Sequence, residues 1–251
     1  MGRMDLFRQH LKEKRAVKII AGIDNFDIES IKKVVTAANQ AGVSAIDICA
    51  DTKIISQVKE MTKLPVFVSS IIPKELAQAI ESGADAIELG NFDALYKNGT
   101  RMGVNEVLDL VRETLSLIDK TQTFFCVTIP GHVSVSEQVA LAVKLESLGI
   151  DLIQTEGAVI AQAKSEGARG LLEVASVSIA NTIEITRNVD IPVMTASGIT
   201  STTAPMALAA GASAIGVGSC INKLNSQIAM IAQAKNLVES VNSSQREKVL
   251  V

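Results

Sequence analysis

Four segments of the chain repeat one short pattern, in which a glycine closes a helical run and an apolar strand begins soon after it. Glycine suits the left-handed position that commonly follows the last helical residue. A repeat of this kind indicates a fold assembled from successive strand–helix units, and a closed barrel accommodates such symmetry naturally. The segments are AGVSAIDICA, SGADAIELGN, LGIDLIQTEG and AGASAIGVGS, with their glycines at Gly42, Gly83, Gly149 and Gly211.

The rest of the chain alternates between short apolar runs and longer runs of helical period. Eight strand–helix pairs in 251 residues predict one α/β domain, a single (β/α)8 TIM barrel, with an extra N-terminal helix. An open doubly wound sheet is the competing fold, but it usually closes with fewer units. The predicted strands are residues 17–22, 44–50, 66–70, 86–91, 124–129, 151–156, 193–197 and 214–218. The predicted helices are residues 28–41, 54–61, 74–82, 104–118, 136–148, 170–187, 203–210 and 225–241. The N-terminal helix falls within 1–16, the barrel spans 17–242 and a tail spans 243–251.

Composition excludes several classes of function. A net charge of −3 and an aromatic content of 3% argue against a nucleic-acid partner, since neither a basic field nor stacking surfaces are present. No run approaches the ~18 apolar residues of a membrane span, so we expect no membrane partner. Cys49, Cys126 and Cys220 are far apart and each lies in an apolar run, which predicts buried thiols in a reducing compartment.

The repeat also predicts which side chains enter the barrel. Counting from each glycine aligns Asp47, Glu88 and Gln154, and two residues later it aligns Glu156 near the mouth. Alternation along a strand puts these polar residues on the inner face, because the outer face is covered by helices. Lys18 points inward from a deeper position on the first strand. The odd strands, aligned in the same way, place four further residues at the mouth: Gly22, Ser70, Thr128 and Ser197.

Four of these inward groups are candidates for acid–base catalysis: Lys18, Asp47, Glu88 and Glu156. Carboxylates that converge beside one ammonium can have pKa values pushed apart, so that one site supplies both an acid and a base. The alternative is a structural ion pair between Lys18 and either Asp47 or Glu88 at the barrel centre. We do not expect a metal on these carboxylates, because no histidine joins them.

The turns after the last two strands favour phosphate binding. Ser197 and Gly198 follow the seventh strand, while Gly218 and Ser219 follow the eighth and could open a short helix. Free backbone N–H groups at such a turn bind phosphate, and barrels often carry a phosphate between these two loops. The alternative is that the glycines only permit tight turns.

Other polar residues fall at the same end of the predicted barrel. His132 follows the fifth strand and suits proton transfer, although a loop histidine without chemistry is the alternative. Asp24 and Asn25 follow the first strand, where they could bind substrate hydroxyls or cap the next helix, a role that Asp27 also suits.

Two long loops at this end carry basic residues and are candidate lids. Arg101 follows the fourth strand, and Lys164 and Arg169 follow the sixth. Long loops on this face of a barrel often exclude water or clamp an anion. Solvated surface charge is the alternative interpretation.

The turn residues SGI and GASAIGVGS resemble those of the ribulose-phosphate-binding barrels, a group that includes epimerases, lyases and thiazole synthase-like enzymes. The whole chain, from KIIAGIDNFD through PVMTASGI, further resembles the hypothetical chloroplast reading frame twenty-three family. The first resemblance implies phosphate binding at Ser197, Gly198, Gly218 and Ser219. The second implies a plastid stroma or a cyanobacterial cytoplasm and brings no established activity. An aldolase is in doubt, because Gln154 stands where related aldolases carry a lysine.

These patterns predict a barrel that handles a small phosphorylated metabolite by isomerase, epimerase or lyase chemistry. One alternative is an oxidoreductase-type barrel that binds flavin mononucleotide (FMN) through the same phosphate loops. The other is a non-catalytic binding or regulatory protein, because a fold does not fix a function. A symmetric homodimer is the expectation from the frequency of such assemblies.

Overall fold

The structure is a computed structural model that describes residues 2–96, 99, 101–157 and 163–246. Within this part of the chain, eight parallel strands form one closed barrel in sequence order, which confirms the predicted fold. The barrel closes where β1 pairs with β8, at the register Lys18 opposite Gly216. The strands are β1 (Ala16–Ile20), β2 (Ala45–Cys49), β3 (Val66–Ser70), β4 (Ala86–Leu89), β5 (Phe124–Thr128), β6 (Leu152–Thr155), β7 (Val193–Thr195) and β8 (Ala214–Val217).

Helices surround the barrel and cover the apolar outer faces of the strands. Outward residues such as Ile19, Ile46 and Ile87 are fully buried in the layer between strands and helices. The helices of the described residues are α1 (Arg3–Lys12), α2 (Ile28–Ala41), α3 (Thr52–Met61), α4 (Pro73–Glu81), α5 (Asp93–Tyr96), α6 (Val104–Leu117), α7 (Val135–Ser147), α8 (Gly167–Thr186), α9 (Ala204–Ala209), α10 (Ser219–Asn222) and α11 (Gln227–Arg246).

The N-terminal helix α1 closes the end of the barrel opposite the site. Phe7 is fully buried among Phe67 of β3 and Phe124 of β5, with ring centroids 5.0 and 5.8 Å away in edge-on contacts. Leu11 packs in the same apolar cluster, one turn further along α1. This end of the barrel is therefore filled with apolar side chains.

The helix boundaries follow the capping residues. Asp27 accepts a hydrogen bond from the N–H of Glu29 and begins α2, as its position predicts. Asp51 accepts from the N–H groups of Lys53 and Ile54, so α3 begins two residues before its predicted start. The one-turn helix α5 is not predicted from the sequence. Helix α11 continues to Arg246, inside the segment predicted as a tail, and the end of that tail lies outside the described residues.

Candidate functional site

A buried ion cluster occupies the middle of the barrel. Lys18 of β1, Asp47 of β2 and Glu88 of β4 point inward, and each is at most 1% exposed. The Lys18 ammonium donates to Glu88 Oε2 and lies 3.4 Å from Asp47 Oδ2. The structure therefore brings together the three residues that the alternation along the strands predicts to point inward.

Burial and charge act in opposite directions on this cluster. Burial disfavours the charge on Lys18, but the carboxylates of Glu88 and Asp47 outweigh it and hold the ammonium pKa above its usual value. Burial raises the pKa of Asp47 to about 6, against the lowering effect of Lys18. At neutral pH the cluster therefore holds a charged ammonium beside an Asp47 carboxylate that can gain a proton under mildly acidic conditions.

Amides and hydroxyls surround the carboxylates. Ser69 Oγ donates to Asp47, at 2.7 Å from Oδ1, and Asn91 Nδ2 donates to Asp47 Oδ2 at 3.2 Å. Gln154 Nε2 donates to Glu88 Oε1 at 2.7 Å, to Asn91 Oδ1 at 3.1 Å and to Thr128 Oγ1 at 3.1 Å. The network is continuous from Lys18 to Asn91 and fixes the amide orientation of both Asn91 and Gln154.

One predicted inward residue faces the other way. The strand alignment predicts Ser70 at the mouth, but its hydroxyl donates to Glu75 near the start of α4. The inner face of β3 carries Phe67 and Ser69 instead, because side chains alternate along a strand. The prediction for Ser70 is wrong by one position. The sequence pattern cannot distinguish the two adjacent serines, Ser69 and Ser70.

A cavity of about 400 Å³ opens above the cluster at the ends of β7, β8 and β1. Both predicted phosphate turns line it, since Ser197, Gly198, Gly218 and Ser219 all belong to its wall. Its other polar lining residues are Asp24, Asn91, Asn222 and Lys223. The volume suits a small metabolite.

The two turns are shaped by glycine. Gly198 has a φ of +77°, and a Cβ there would lie 2.5 Å from Val174 Cγ1. A Cβ at Gly218 would lie 3.3 Å from the Ile20 carbonyl oxygen. Gly218 precedes α10, whose first N–H groups have no acceptor within the helix. In the described part of the chain, no residue accepts from the Gly198 N–H either. Both turns that line the cavity therefore hold backbone N–H groups without an acceptor among the described residues.

A second polar group lies at the mouth, between the loops after β4, β5 and β6. Tyr96 donates its hydroxyl to Glu156 Oε2 at 2.7 Å, and His132 Nδ1 lies 3.0 Å from the same hydroxyl. Burial and the nearby Arg101 lower the pKa of His132, which favours the neutral imidazole. Glu156 is buried, so the structure joins two of the predicted catalytic residues through Tyr96.

The remaining predicted loop residues are less closely tied to the cavity. Asn25 is held within its own loop, because it donates to the Ala21 carbonyl and accepts from the N–H of Asp27. Arg101 lies over the Tyr96 ring, with 5.7 Å from its guanidinium carbon to the ring centroid. Arg169 and Lys164 are exposed on α8 and just before it, and Arg169 pairs with Glu173 at 3.3 Å. Neither Arg169 nor Lys164 lines the cavity.

Four residues of the site are not predicted from the sequence: Ser69, Asn91, Asn222 and Lys223. Asn91 and Lys223 lie just past an element, where periodicity no longer assigns direction. A polar signal is nevertheless present for Lys223, which follows the predicted phosphate turn by a few residues. Among the described residues, no group of three or more metal-ligating side chains is found. None of the helices in that part of the chain combines the length and the hydropathy that a membrane span requires.

Several solved structures share this fold. The 3-hexulose-6-phosphate synthase of Salmonella typhimurium aligns with a TM-score of 0.65 at 14% identity, covering 91% of this chain and 99% of that one. The (S)-3-O-geranylgeranylglyceryl phosphate synthase of Thermoplasma acidophilum, solved with sn-glycerol-1-phosphate, aligns with a TM-score of 0.62 at 19% identity, covering 97% and 99%. At these identities the likeness shows the fold alone.

Sequence comparison is more specific. The chain belongs to the family described as "Protein of unknown function (DUF561)", which matches residues 4–247. The "Uncharacterized protein ycf23" of Cyanophora paradoxa is 38% identical over 235 residues, covering 93% of this chain and 96% of that protein. The protein of the same name from Pyropia yezoensis is 34% identical over 219 residues, covering 87% and 80%. The resemblance to the chloroplast reading-frame family is thereby confirmed.

Proposed function

We propose that this chain binds a small phosphorylated metabolite in the cavity at the mouth of the barrel and transfers a proton on it, as an isomerase, epimerase or lyase does. The observation that carries the proposal is the composition of one cavity wall. Gly198, Gly218 and Lys223 line the same cavity, and both glycine turns hold backbone N–H groups without an acceptor among the described residues. Backbone donors beside a cation are the groups that bind phosphate in proteins.

The proton-transfer half of the proposal rests on the cluster beneath the cavity. Asn91 lines the cavity and donates to Asp47, so this carboxylate lies one side chain below the cavity and would receive the proton through one bridging water molecule. A pKa of about 6 leaves Asp47 ionised at neutral pH and able to accept a proton. Lys18 stays protonated beside it and offsets the negative charge. Glu156, held by Tyr96, is the second candidate for the same step.

Phosphate binding is tested by titrating the full chain with inorganic phosphate in a calorimeter. Lys223→Met removes one cation from the wall, and we expect about a fivefold weaker affinity, equivalent to about 1 kcal/mol for an exposed charge. Lys235→Met removes an exposed lysine from α11 and serves as the matched control. Absence of phosphate binding, or equal loss in both variants, would contradict the proposal.

Proton transfer is tested without knowing the substrate. The protein is incubated in deuterium oxide with the phosphorylated metabolites of a cyanobacterial extract, and deuterium uptake is followed by mass spectrometry. We expect one phosphorylated compound to gain deuterium, and we expect Asp47→Asn to slow that gain about 100-fold, the usual effect of losing a general base. Phosphate binding with no labelled compound would favour a non-catalytic binding protein. Flavin absorbance in the purified protein would favour the FMN barrel instead.

The family bears on the compartment in which this chemistry would take place. The relatives named ycf23 support a plastid stroma or a cyanobacterial cytoplasm as the compartment. Fractionation of cells that carry a tagged copy of the chain tests this assignment.

A further inference from the structure

The four repeats place an equivalent polar residue at the amino-terminal end of the barrel, two positions after the glycine of each repeat. The backbone N–H of this residue donates to the carbonyl oxygen of a residue near the start of the preceding strand. The four pairs are Ser44 with Val17, Asp85 with Val66, Asp151 with Phe125 and Ser213 with Val193. The shared backbone bond shows that the four positions are structurally equivalent.

In three of these pairs the side chain makes a second contact. The N–H of the strand residue donates back to the polar side chain: Val17 to Ser44 Oγ at 3.0 Å, Val66 to Asp85 Oδ2 at 2.9 Å and Phe125 to Asp151 Oδ2 at 2.7 Å. Each of the two carboxylates also pairs with a lysine at 2.6 Å, Asp85 with Lys59 and Asp151 with Lys120. In these two repeats a carboxylate thus lies between a strand N–H and an ammonium.

The fourth pair lacks the second contact. In the described part of the chain, nothing hydrogen-bonds the Ser213 hydroxyl, and no side-chain oxygen accepts from the Val193 N–H. Ser213 is 9% exposed, and its hydroxyl keeps accessible surface, unlike the fully sealed oxygens of Gln138, Gln154 and Asn222. Unpaired polar groups in a folded protein call for an explanation.

Both members of this fourth pair line a cavity of about 570 Å³ between α1 and the amino-terminal ends of β7 and β8. Three basic residues of α1 and the turn after it line the same cavity: Arg8, Lys12 and Lys14. Among the described residues, the first two of these form no ion pair. Of the two acidic lining residues, Asp151 is already neutralised by Lys120, and Asp190 is exposed. The cavity therefore combines unpaired donors with an excess of positive charge, which favours an anionic ligand.

We propose that this cavity binds a small molecule through a carboxylate, which takes the part that Asp85 and Asp151 play in their own repeats. The ligand carboxylate accepts from the Val193 N–H and the Ser213 hydroxyl, and the basic residues of α1 offset its charge. A carboxylate rather than a phosphate is chosen because the chain itself supplies that group in two of the equivalent positions. The cavity lies at the opposite end of the barrel from the mouth, so this site is separate from that of the proposed function.

Nuclear magnetic resonance on the isotope-labelled full chain tests the proposal with three probes: succinate, its uncharged analogue succinamide, and inorganic phosphate. An amide proton that gains an acceptor moves downfield, so we expect succinate to shift the Val193 amide proton in a saturable manner. Succinamide should leave this resonance unchanged, and phosphate should shift it less than succinate does at the same concentration.

Variants of one lysine on the cavity wall and one elsewhere test the charge. Lys12→Met should weaken succinate binding about fivefold, which is equivalent to about 1 kcal/mol for one exposed cation. Lys235→Met removes an exposed lysine of α11 and should leave succinate binding unchanged.

The variant Ser213→Asp supplies the missing carboxylate from the chain itself. We expect its Val193 amide proton to lie downfield without any ligand, and we expect succinate no longer to move it. Ser213→Ala removes one donor and keeps the Val193 N–H, so it should weaken succinate binding without abolishing the shift. If a variant at position 213 does not fold, the three probes and the two lysine variants still decide the question.

The proposal is wrong if succinate leaves the Val193 amide proton in place, if succinamide moves it equally, or if phosphate moves it more. It is also wrong if Lys12→Met and Lys235→Met bind succinate equally well, or if folded Ser213→Asp responds to succinate as the wild type does. The amide resonance of Gly198 reports phosphate binding at the mouth separately, so failure here leaves the proposed function standing.

Discussion

Replacement of Lys18 by methionine probes the ion cluster most directly. Methionine fills a similar volume, so the main change is loss of the ammonium that lies against Asp47 and Glu88. At 3.4 Å and an effective dielectric constant of ~20, one such contact is worth about 5 kcal/mol before desolvation. Breaking a buried ion pair costs about 3–5 kcal/mol. We expect Lys18→Met to lower the free energy of unfolding by about 4 kcal/mol at pH 8.

The same variant carries a pH signature. Without Lys18, the pKa of Asp47 rises further above its ordinary value of 3.8, because the ammonium lowers it in the wild-type protein. A carboxyl group whose pKa is higher in the folded than in the unfolded chain stabilises the fold at a pH below its pKa in the unfolded chain. This stabilisation is lost as the pH rises through the pKa of the folded chain. The penalty of Lys18→Met should therefore shrink by about 2 kcal/mol between pH 8 and pH 5.

Urea denaturation followed by circular dichroism at pH 5, 6, 7 and 8 measures this penalty in both proteins. The double variant Lys18→Met/Glu88→Gln removes a carboxylate together with the ammonium, and we expect it to recover about half of the loss at pH 8. A loss of unfolding free energy that does not change with pH would refute the electrostatic account, as would a double variant no more stable than Lys18→Met. Side-chain packing would then explain the effect of the substitution.

Three further predictions concern the ion cluster, the turn at Gly198 and the helix α1 that closes the barrel. The pKa of Asp47 is about 6 in the folded chain and 3.8 without the fold, so the wild type loses stability as the pH rises from 4.5 to 7.5. Over this range we expect Asp47→Asn to gain about 2 kcal/mol in free energy of unfolding relative to the wild type. A stability difference between the two proteins that stays constant with pH in urea titrations would contradict this. Gly198→Ala should lower the free energy of unfolding by at least 2 kcal/mol, because the added methyl group meets Val174. Gly42→Ala should lower it by only about 1 kcal/mol, because Gly42 has a similar φ but no atom lies near its added methyl group. Equal losses in the two variants would contradict this account. Phe7→Ala should cost about 3–5 kcal/mol in the same assay and leave phosphate affinity unchanged; a loss below 1 kcal/mol would show that α1 does not seal the barrel.

The fold is readable from the sequence because its units repeat. Glycines such as Gly42 and Gly83 mark the end of a helix, and the count from each of them gives the direction of every side chain on the following strand. That count alone predicts that Asp47 and Glu88 share the inner face, and both contact the Lys18 ammonium there. Repetition therefore specifies the barrel and the centre of its polar interior.

The site residues that the sequence does not predict lie in segments without a repeat glycine at a fixed distance. No glycine precedes β3 at the same distance, so the alignment selects Ser70 where Ser69 is the inward residue. Asn91 and Lys223 lie in turns, whose paths depend on contacts between distant segments rather than on local period.

A crystal of the protein soaked in phosphate tests the central claim most directly. We predict tetrahedral density in the mouth cavity, within hydrogen-bond distance of the N–H groups of Gly198 and Ser219 and close to the Lys223 ammonium. Phosphate bound elsewhere while this cavity holds only water, or a cavity closed by side chains of the protein, would contradict the proposal that the barrel handles a phosphorylated metabolite.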